Sequence, residues 1–127
     1  MADSAPLFTV ALNEDGLYVN EWLISKPQFD SPNYRFISYV LYHPNEKLKF
    51  ADVTTASDLP IQSSKRLSHY LNELGFKGQL KSLFFPVSTG GYVMFRNPLT
   101  VEVLERHYGV GVGERITVED LLNPDFF

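Results

Sequence analysis

Alternating apolar and polar side chains near the start of the chain predict a β-hairpin. Two apolar runs, at residues 7–12 and 17–24, flank the sequence Asn13-Glu-Asp-Gly16. Asp-Gly is a favourable pair for a tight turn between antiparallel strands. The second run also suits the start of a short helix, so this segment has two interpretations, of which the hairpin is preferred. A connecting loop is expected at 25–30.

A helix is predicted after this loop. Its apolar side chains recur at i, i+1, i+4 and i+5, as on one face of a helix: Phe36, Ile37, Val40 and Leu41. Ser31 is a suitable N-cap and Pro32 suits the first helical position. Because Pro44 disfavours helical geometry in the residue before it, the helix is expected to end near His43.

Two more helices are predicted in the middle of the chain. The first is a short helix at 51–57, and the second is a longer helix at 62–74. The longer helix starts with polar residues and then carries leucines four and three residues apart: Leu67, Leu71 and Leu74. Gly75 is expected to end it, since glycine readily adopts the left-handed conformation that terminates many helices.

The last third of the chain is predicted to contain a hairpin and two short helices. The β-rich runs 80–87 and 92–96 flank Ser-Thr-Gly-Gly, which favours an antiparallel hairpin. Thr100 is then expected to cap a helix reaching Tyr108, and a final helix is expected at 117–122. One apolar core is predicted to join these elements, and its expected members are Phe36, Val40, Val53, Leu59, Leu67, Leu71 and Leu74.

The order helix, short helix, turn, helix, hairpin is that of a winged helix-turn-helix. The segment FADVTTASDLPIQSSKRLSHYLNELGF also resembles the corresponding stretch of bacterial repressors of the isocitrate-lyase-regulator and MarR kind. The matching positions are Phe50, Val53, Leu59, Pro60, Leu67, Leu71, Gly75 and Phe76. This chain departs from the pattern where Thr54 replaces an alanine, Asp58 a turn glycine and Ser64 an apolar residue.

The resemblance implies an α+β fold with a winged helix-turn-helix core at about 31–97. An N-terminal extension (1–30) and a C-terminal helical extension (98–127) would complete a single domain, as the length of 127 residues also suggests. The implied function is sequence-specific or structural DNA binding in transcriptional or replication control. The N-terminal half of the longer helix would enter the major groove, while the wing, which is the hairpin predicted at 80–87 and 92–96, contacts phosphates. The expected DNA-binding residues are Gln62, Ser63, Lys65, Arg66, His69, Lys77, Lys81, Thr89 and Arg96.

Charge changes this picture only in part. The net charge is −4, which argues against a nucleic-acid partner, but residues 46–97 hold seven Lys/Arg and four Asp/Glu. The chain has no cysteine, which agrees with a reducing compartment. No secretory leader and no apolar stretch of membrane-spanning length is recognised, so a cytoplasmic location is expected, or a nuclear one in a eukaryote.

No catalytic, metal or cofactor site is predicted. His43, His69 and His107 are far apart in sequence and have no ligand-like spacing. Residues 109–113 are glycine-rich but lack the Lys-Ser/Thr that completes a phosphate loop. Surface or capping roles account for these residues, and the chain is not expected to be an enzyme.

A second hypothesis is a winged-helix protein-interaction module, such as an assembly factor or an inhibitor, with no nucleic-acid binding. Adjacent Phe84 and Phe85 on a strand would point to opposite faces, so one of them would need cover. The N-terminal segment 7–24 folded back over the wing, which is the preferred interpretation, a protein partner or a second copy of the chain would supply it. A homodimer or a protein partner is expected to bind through this wing or through the Phe126-Phe127 end. A continuous basic face at Lys65, Arg66, Lys77 and Lys81 favours DNA binding, whereas cover by acidic segments favours protein interaction.

Overall fold

The fold is α+β in the computed structural model, which describes residues 6–59, 66–109, 111 and 116–122. The strands within these residues are β1 (Pro6–Phe8), β2 (Val10–Asn13), β3 (Gly16–Val19), β4 (Trp22–Ser25), β5 (Lys47–Lys49), β6 (Tyr92–Met94) and β7 (Leu99–Thr100). The helices are α1 (Pro32–Tyr42), α2 (Phe50–Ala56), α3 (Leu67–Leu74), α4 (Gly78–Phe84), α5 (Val101–Tyr108) and α6 (Val118–Leu122).

The N-terminal hairpin is confirmed and is extended by a third strand. β2, β3 and β4 form an antiparallel meander, with Asn13 opposite Gly16 at the first turn. The Asn13 Oδ1 accepts the Asp15 and Gly16 N–H groups at 2.8 and 3.2 Å, which stabilises that turn. The alternative of a short helix within 17–24 is wrong, because this run forms β3 and β4.

The predicted helix caps are confirmed at α1 and α5. The Ser31 Oγ accepts the Tyr34 N–H at 3.2 Å, and α1 ends at Tyr42 before its C-cap His43. The Thr100 Oγ accepts the Val103 N–H at 3.3 Å in the same way. These bonds satisfy N–H groups that have no partner within the first helical turn.

The predicted strand at 80–87 is wrong, because most of this run belongs to helix α4. Leu80, Leu83 and Phe84 lie at i, i+3 and i+4 and are buried together on one helix face. Burial of that face outweighs the β propensity of the phenylalanines. Of the expected hairpin pairing, a single bridge between Val87 and Met94 forms. β6 pairs mainly with β5, a strand that the sequence pattern did not predict.

Phe84 and Phe85 are both buried, so the phenylalanine that was expected to need cover is covered by other residues of the chain. Their ring centroids lie 6.0 and 4.9 Å from that of Phe76, and both rings also contact Phe95. The run therefore offers no exposed phenylalanine for a partner to cover. Phe126 and Phe127 lie outside the described residues, so self-association stays a prediction without support from this wing.

The core prediction is confirmed, because every residue expected in the core is buried: Phe36, Val40, Val53, Leu59, Leu67, Leu71 and Leu74. Tyr70 joins them, and its ring stacks on that of Phe36 at 5.3 Å between centroids. Burial of the Tyr70 phenol raises its pKa, and the nearby carboxylate of Glu73 adds to this rise. α1, α2 and α3 thus share one apolar centre.

Two asparagine side chains join three separate segments of the chain. The Asn97 amide accepts the Val10 N–H at 3.0 Å and donates to the Val10 carbonyl at 3.2 Å. The Asn45 side-chain amide in turn accepts the Asn97 N–H at 3.3 Å and donates to the Asn97 carbonyl at 3.1 Å. The meander, the loop after α1 and the segment after β6 are held together by these four bonds.

The break after α2 occurs at Asp58, where the repressor pattern has glycine. Its φ of +52° lies in the left-handed region, which aspartate tolerates better than most residues. The Arg35 guanidinium donates to the carbonyls of Ser57 and Asp58, at 2.9 Å in each case, and so covers the end of α2. The predicted helix at 62–74 is described only from its Leu67–Leu74 part, because residues 60–65 lie outside the described ranges.

Gly75 ends α3 as predicted and also contacts the meander. Its φ is +100°, and the Phe76 N–H donates to the Leu71 carbonyl at 2.9 Å across the end of the helix. A Cβ at this position would lie 2.9 Å from the Ile24 carbonyl oxygen of β4. Glycine is therefore required here both for its backbone conformation and for the space that it leaves.

Substitution of Leu71 tests the core. We expect Leu71→Ala to lower the free energy of unfolding by about 2–5 kcal/mol, since the side chain is fully buried and leaves a cavity. Urea unfolding followed by circular dichroism measures this loss. Ser68→Ala, on the exposed face of the same helix, is the control, and equal midpoints for the two variants would contradict the core assignment.

Gly75→Ala tests the approach of the meander to α3. We expect a loss of about 1–3 kcal/mol from left-handed backbone strain and the crowding against Ile24. Gly90→Ala is a matched control, since its φ is also positive, at +68°, but nothing lies within 4 Å of the added Cβ. It should cost less in the same unfolding assay, and a loss as large as that of Gly75→Ala would show that the Ile24 contact is unimportant.

Candidate nucleic-acid interface

α3 and α4 are joined by a short turn, one helix later than the helix-turn-helix that the sequence pattern predicted. Only residues 75–77 separate them, and a turn of three to four residues containing glycine is typical of this motif. By contrast, residues 57–66 separate α2 from α3. Phe76, in the short turn, is buried against the phenylalanines at the end of α4.

The exposed side of α4 carries two lysines one helical turn apart. Lys77 is the exposed N-cap residue, and Lys81 is half-buried four positions later. Residues at this spacing lie on the same side of a helix. Gly78 and Ser82 are exposed beside them, so the lysines flank a small polar surface with little side-chain bulk.

A tight hairpin after α4 carries Thr89 at its exposed tip. The Met94 N–H donates to the Val87 carbonyl at 2.9 Å, and the Tyr92 N–H donates to the Thr89 carbonyl at 3.3 Å. Gly90 and Gly91 have φ of +68° and +83°, which lets the chain reverse direction there. The hairpin resembles a wing in position, although its first strand is reduced to one bridged residue.

Lys47 and Lys49 were missed by the sequence analysis and lie beside this hairpin. β5 places them opposite Met94 and Tyr92 of β6, and both lysines are exposed. The Lys47 Nζ lies 4.6 Å from the centroid of the Tyr92 ring, within range of a cation–π contact. The period-two alternation Lys-Leu-Lys, with Leu48 half-buried between them, is the signal that could have found this strand.

Arg66 and His69 lie together at the start of α3. The Arg66 N–H donates to the His69 Nδ1 at 3.1 Å, so this ring caps the helix while its residue stays exposed. Gln62, Ser63 and Lys65 lie outside the described residues. Of the basic face expected at Lys65, Arg66, Lys77 and Lys81, the structure therefore describes the last three residues.

Arg96 is placed away from the hairpin tip, at the C-terminal end of α4. Its backbone N–H donates to the Phe84 carbonyl at 2.7 Å, and its side chain is half-buried. Burial lowers the pKa of the Arg96 guanidinium, and the nearby positive charge of Arg106 lowers it further. Arg96 thus faces α5 rather than the exposed lysines of α4.

Other kinds of site were sought in the same part of the chain. Among the described residues, no three His, Asp or Glu side chains converge as a metal site would require. None of the described helices is long and apolar enough to cross a membrane.

Comparisons with known proteins leave the chain without an assigned relative. It matches no known protein family, no curated protein and no solved structure. The resemblance to repressor segments therefore stays an expectation that rests on the residues quoted for it.

Proposed function

We propose that this chain binds double-stranded DNA through a winged helix-turn-helix formed by α3, α4 and the following hairpin. In this arrangement α4 is the recognition helix. α3 crosses the DNA backbone, and the hairpin tip contacts phosphates beside the groove. The observation that carries the proposal is the short α3–α4 connection, with Lys77 and Lys81 on the exposed side of the second helix.

The local charge supports a polyanionic partner. Residues 66–97 contain four Lys/Arg and one Asp/Glu, Glu73, although the whole chain is acidic. Lys77 is the N-cap of α4 and Lys81 lies on that helix, while Lys47 and Lys49 are exposed on β5, which pairs with β6 of the hairpin. Each lysine that neutralises a phosphate releases a counterion, so binding would depend strongly on salt.

The shape of α4 also supports groove contact. An α-helix with its side chains is about 10–12 Å across, and the major groove is about 12 Å wide, so α4 has the thickness that the groove admits. Gly78 and Ser82 leave the exposed side narrow, which allows the backbone of the helix to approach base edges. Lysine pairs with guanine acceptors there, and serine bonds to a base edge or a phosphate.

A protein partner is the second candidate function, and a different surface favours it. A cavity of about 700 Å³ lies between the first meander turn and the start of α1, lined in part by Tyr18, Phe29 and Tyr34. Phe29 is 78 % exposed, and Glu14 and Asp15 border the same cavity. Such a surface fits a partner segment that places a basic side chain beside an apolar one.

The DNA proposal is tested by removing the two α4 lysines. We expect Lys77→Gln/Lys81→Gln to weaken binding to a labelled mixed-sequence duplex, with a slope of log Kobs against log salt that is shallower by up to about two. Fluorescence anisotropy between ~50 and ~200 mM salt measures this slope. Circular dichroism checks that the variant is folded, as expected for a change on the exposed side of α4.

Lys26→Gln is the charge control, because Lys26 borders the aromatic cavity and not the helix-turn-helix. It should leave the slope unchanged, whereas the single variant Lys77→Gln should reduce it by about one. Absence of salt-dependent duplex binding by the wild-type protein, even at low ionic strength, would contradict the proposal. In that case the protein-interaction candidate becomes the leading one.

A further inference from the structure

A small cavity between the end of β6 and α5 is bordered by two arginines and a histidine. It has a volume of about 200 Å³ and is lined by Arg96, Val103, Arg106 and His107. Three of these four residues are basic and none is acidic. One water occupies ~30 Å³ of the liquid, so the cavity has room for a tetrahedral oxyanion together with water.

Arg96 is held in place at this cavity by its neighbours in the chain. Phe95 is buried in the core, and Asn97 is bonded through both its side chain and its backbone. The Arg96 N–H is itself bonded to the Phe84 carbonyl. Within the described ranges, no carboxylate or carbonyl pairs with the Arg96 guanidinium, although the side chain is half-buried.

Arg106 approaches the cavity from α5. It pairs with Glu102 one turn earlier at 3.5 Å, but the two side chains are 72 % and 50 % exposed. An ion pair this exposed to water contributes little stability, so the Arg106 guanidinium is able to bind an anion as well. The negative end of the α5 dipole accounts for Arg106 and His107 in its last turn. Arg96 comes from a different segment and is not explained in that way.

The Arg96 and Arg106 guanidinium groups lie close enough for the charge of Arg106 to lower the pKa of Arg96. An anion between them would interact favourably with both positive charges. The planar fork of arginine matches the oxygens of phosphate and binds them through paired, charge-assisted hydrogen bonds. We propose that Arg96, Arg106 and His107 form a binding site for a phosphate group.

The phosphate has two possible sources, which the experiment separates. One is a free phosphate or a small phosphorylated ligand. The other is a backbone phosphate of nucleic acid, and this version rests on the DNA-binding function proposed above. The backbone hydrogen bond from Arg96 to Phe84 places the site at the C-terminal end of α4. A DNA strand that runs along α4 would therefore pass close to the site.

The test begins with a titration of inorganic phosphate by isothermal calorimetry at constant ionic strength. We expect saturable binding by the wild-type protein and a Kd about tenfold weaker for Arg96→Gln and for Arg106→Gln. This is the loss expected for one charge-assisted hydrogen bond. Lys26→Gln removes the same charge elsewhere and should bind as the wild type does. Arg106→Gln changes an exposed side chain, so it tests the site even if Arg96→Gln does not fold.

Duplex binding by the same variants then identifies the source. If phosphate competes with duplex and both arginine variants lose affinity for each, the site binds the nucleic-acid backbone. Alternatively, the variants lose phosphate binding while their duplex affinity equals that of the wild type, or neither the wild type nor the variants bind duplex. The site then binds a small phosphorylated ligand, and the phosphate-site proposal does not depend on the DNA proposal. Absence of saturable phosphate binding, or a Kd unaffected by both arginine substitutions, would overturn the site.

Discussion

The side-chain amide of Asn97 acts as a substitute strand partner for Val10, and much of the molecule is positioned by this contact. Asn97 satisfies both backbone groups of Val10, and Asn45 satisfies both backbone groups of Asn97. Removing either amide would leave two backbone groups without partners, which costs more than the net value of the bonds themselves. Three segments that are distant in sequence thus depend on two polar side chains.

The same network determines where the candidate sites lie. Arg96 sits between a core phenylalanine and Asn97, so its backbone has little freedom to turn away from α5. Asn45 also donates its backbone N–H to the Phe95 carbonyl at 2.6 Å, which aligns the start of β5 with β6. The segment held by Asn45 and Asn97 therefore positions the lysines of β5 and the hairpin relative to α4.

Local signals in the sequence were sufficient for most helices and for the first hairpin. Ser31, Gly75 and Thr100 each act at the position where capping chemistry predicted them, because caps depend on a few neighbouring residues. Asp58 takes the left-handed conformation that its turn requires. These features are local, and tertiary packing reinforces them.

The run at 80–87 shows where local signals fail. Its phenylalanines and Val87 are typical of strands, yet Leu80, Leu83 and Phe84 also have helical spacing, and the core selected the helix. β5 has three residues, too few for a periodic pattern to stand out, and its partner is more than forty residues away. Lys77 and Lys81 were consequently expected on a wing and are found on and beside a helix. The cavity at Arg96 depends on packing against α5, which no sequence spacing encodes.

The pairing of β1 with β7 has a consequence for how the protein is made. Residues 6–8 pair with residues 99–100, so β1 is synthesised more than ninety residues before its partner. Closing so long a loop is slow and entropically costly, whereas the meander and the helices can form from near neighbours. During synthesis β1 must therefore wait, with an unpaired edge, until β7 has been translated. The order of translation, as well as the final contacts, thus exposes β1 to mispairing for longer than the strands of the meander.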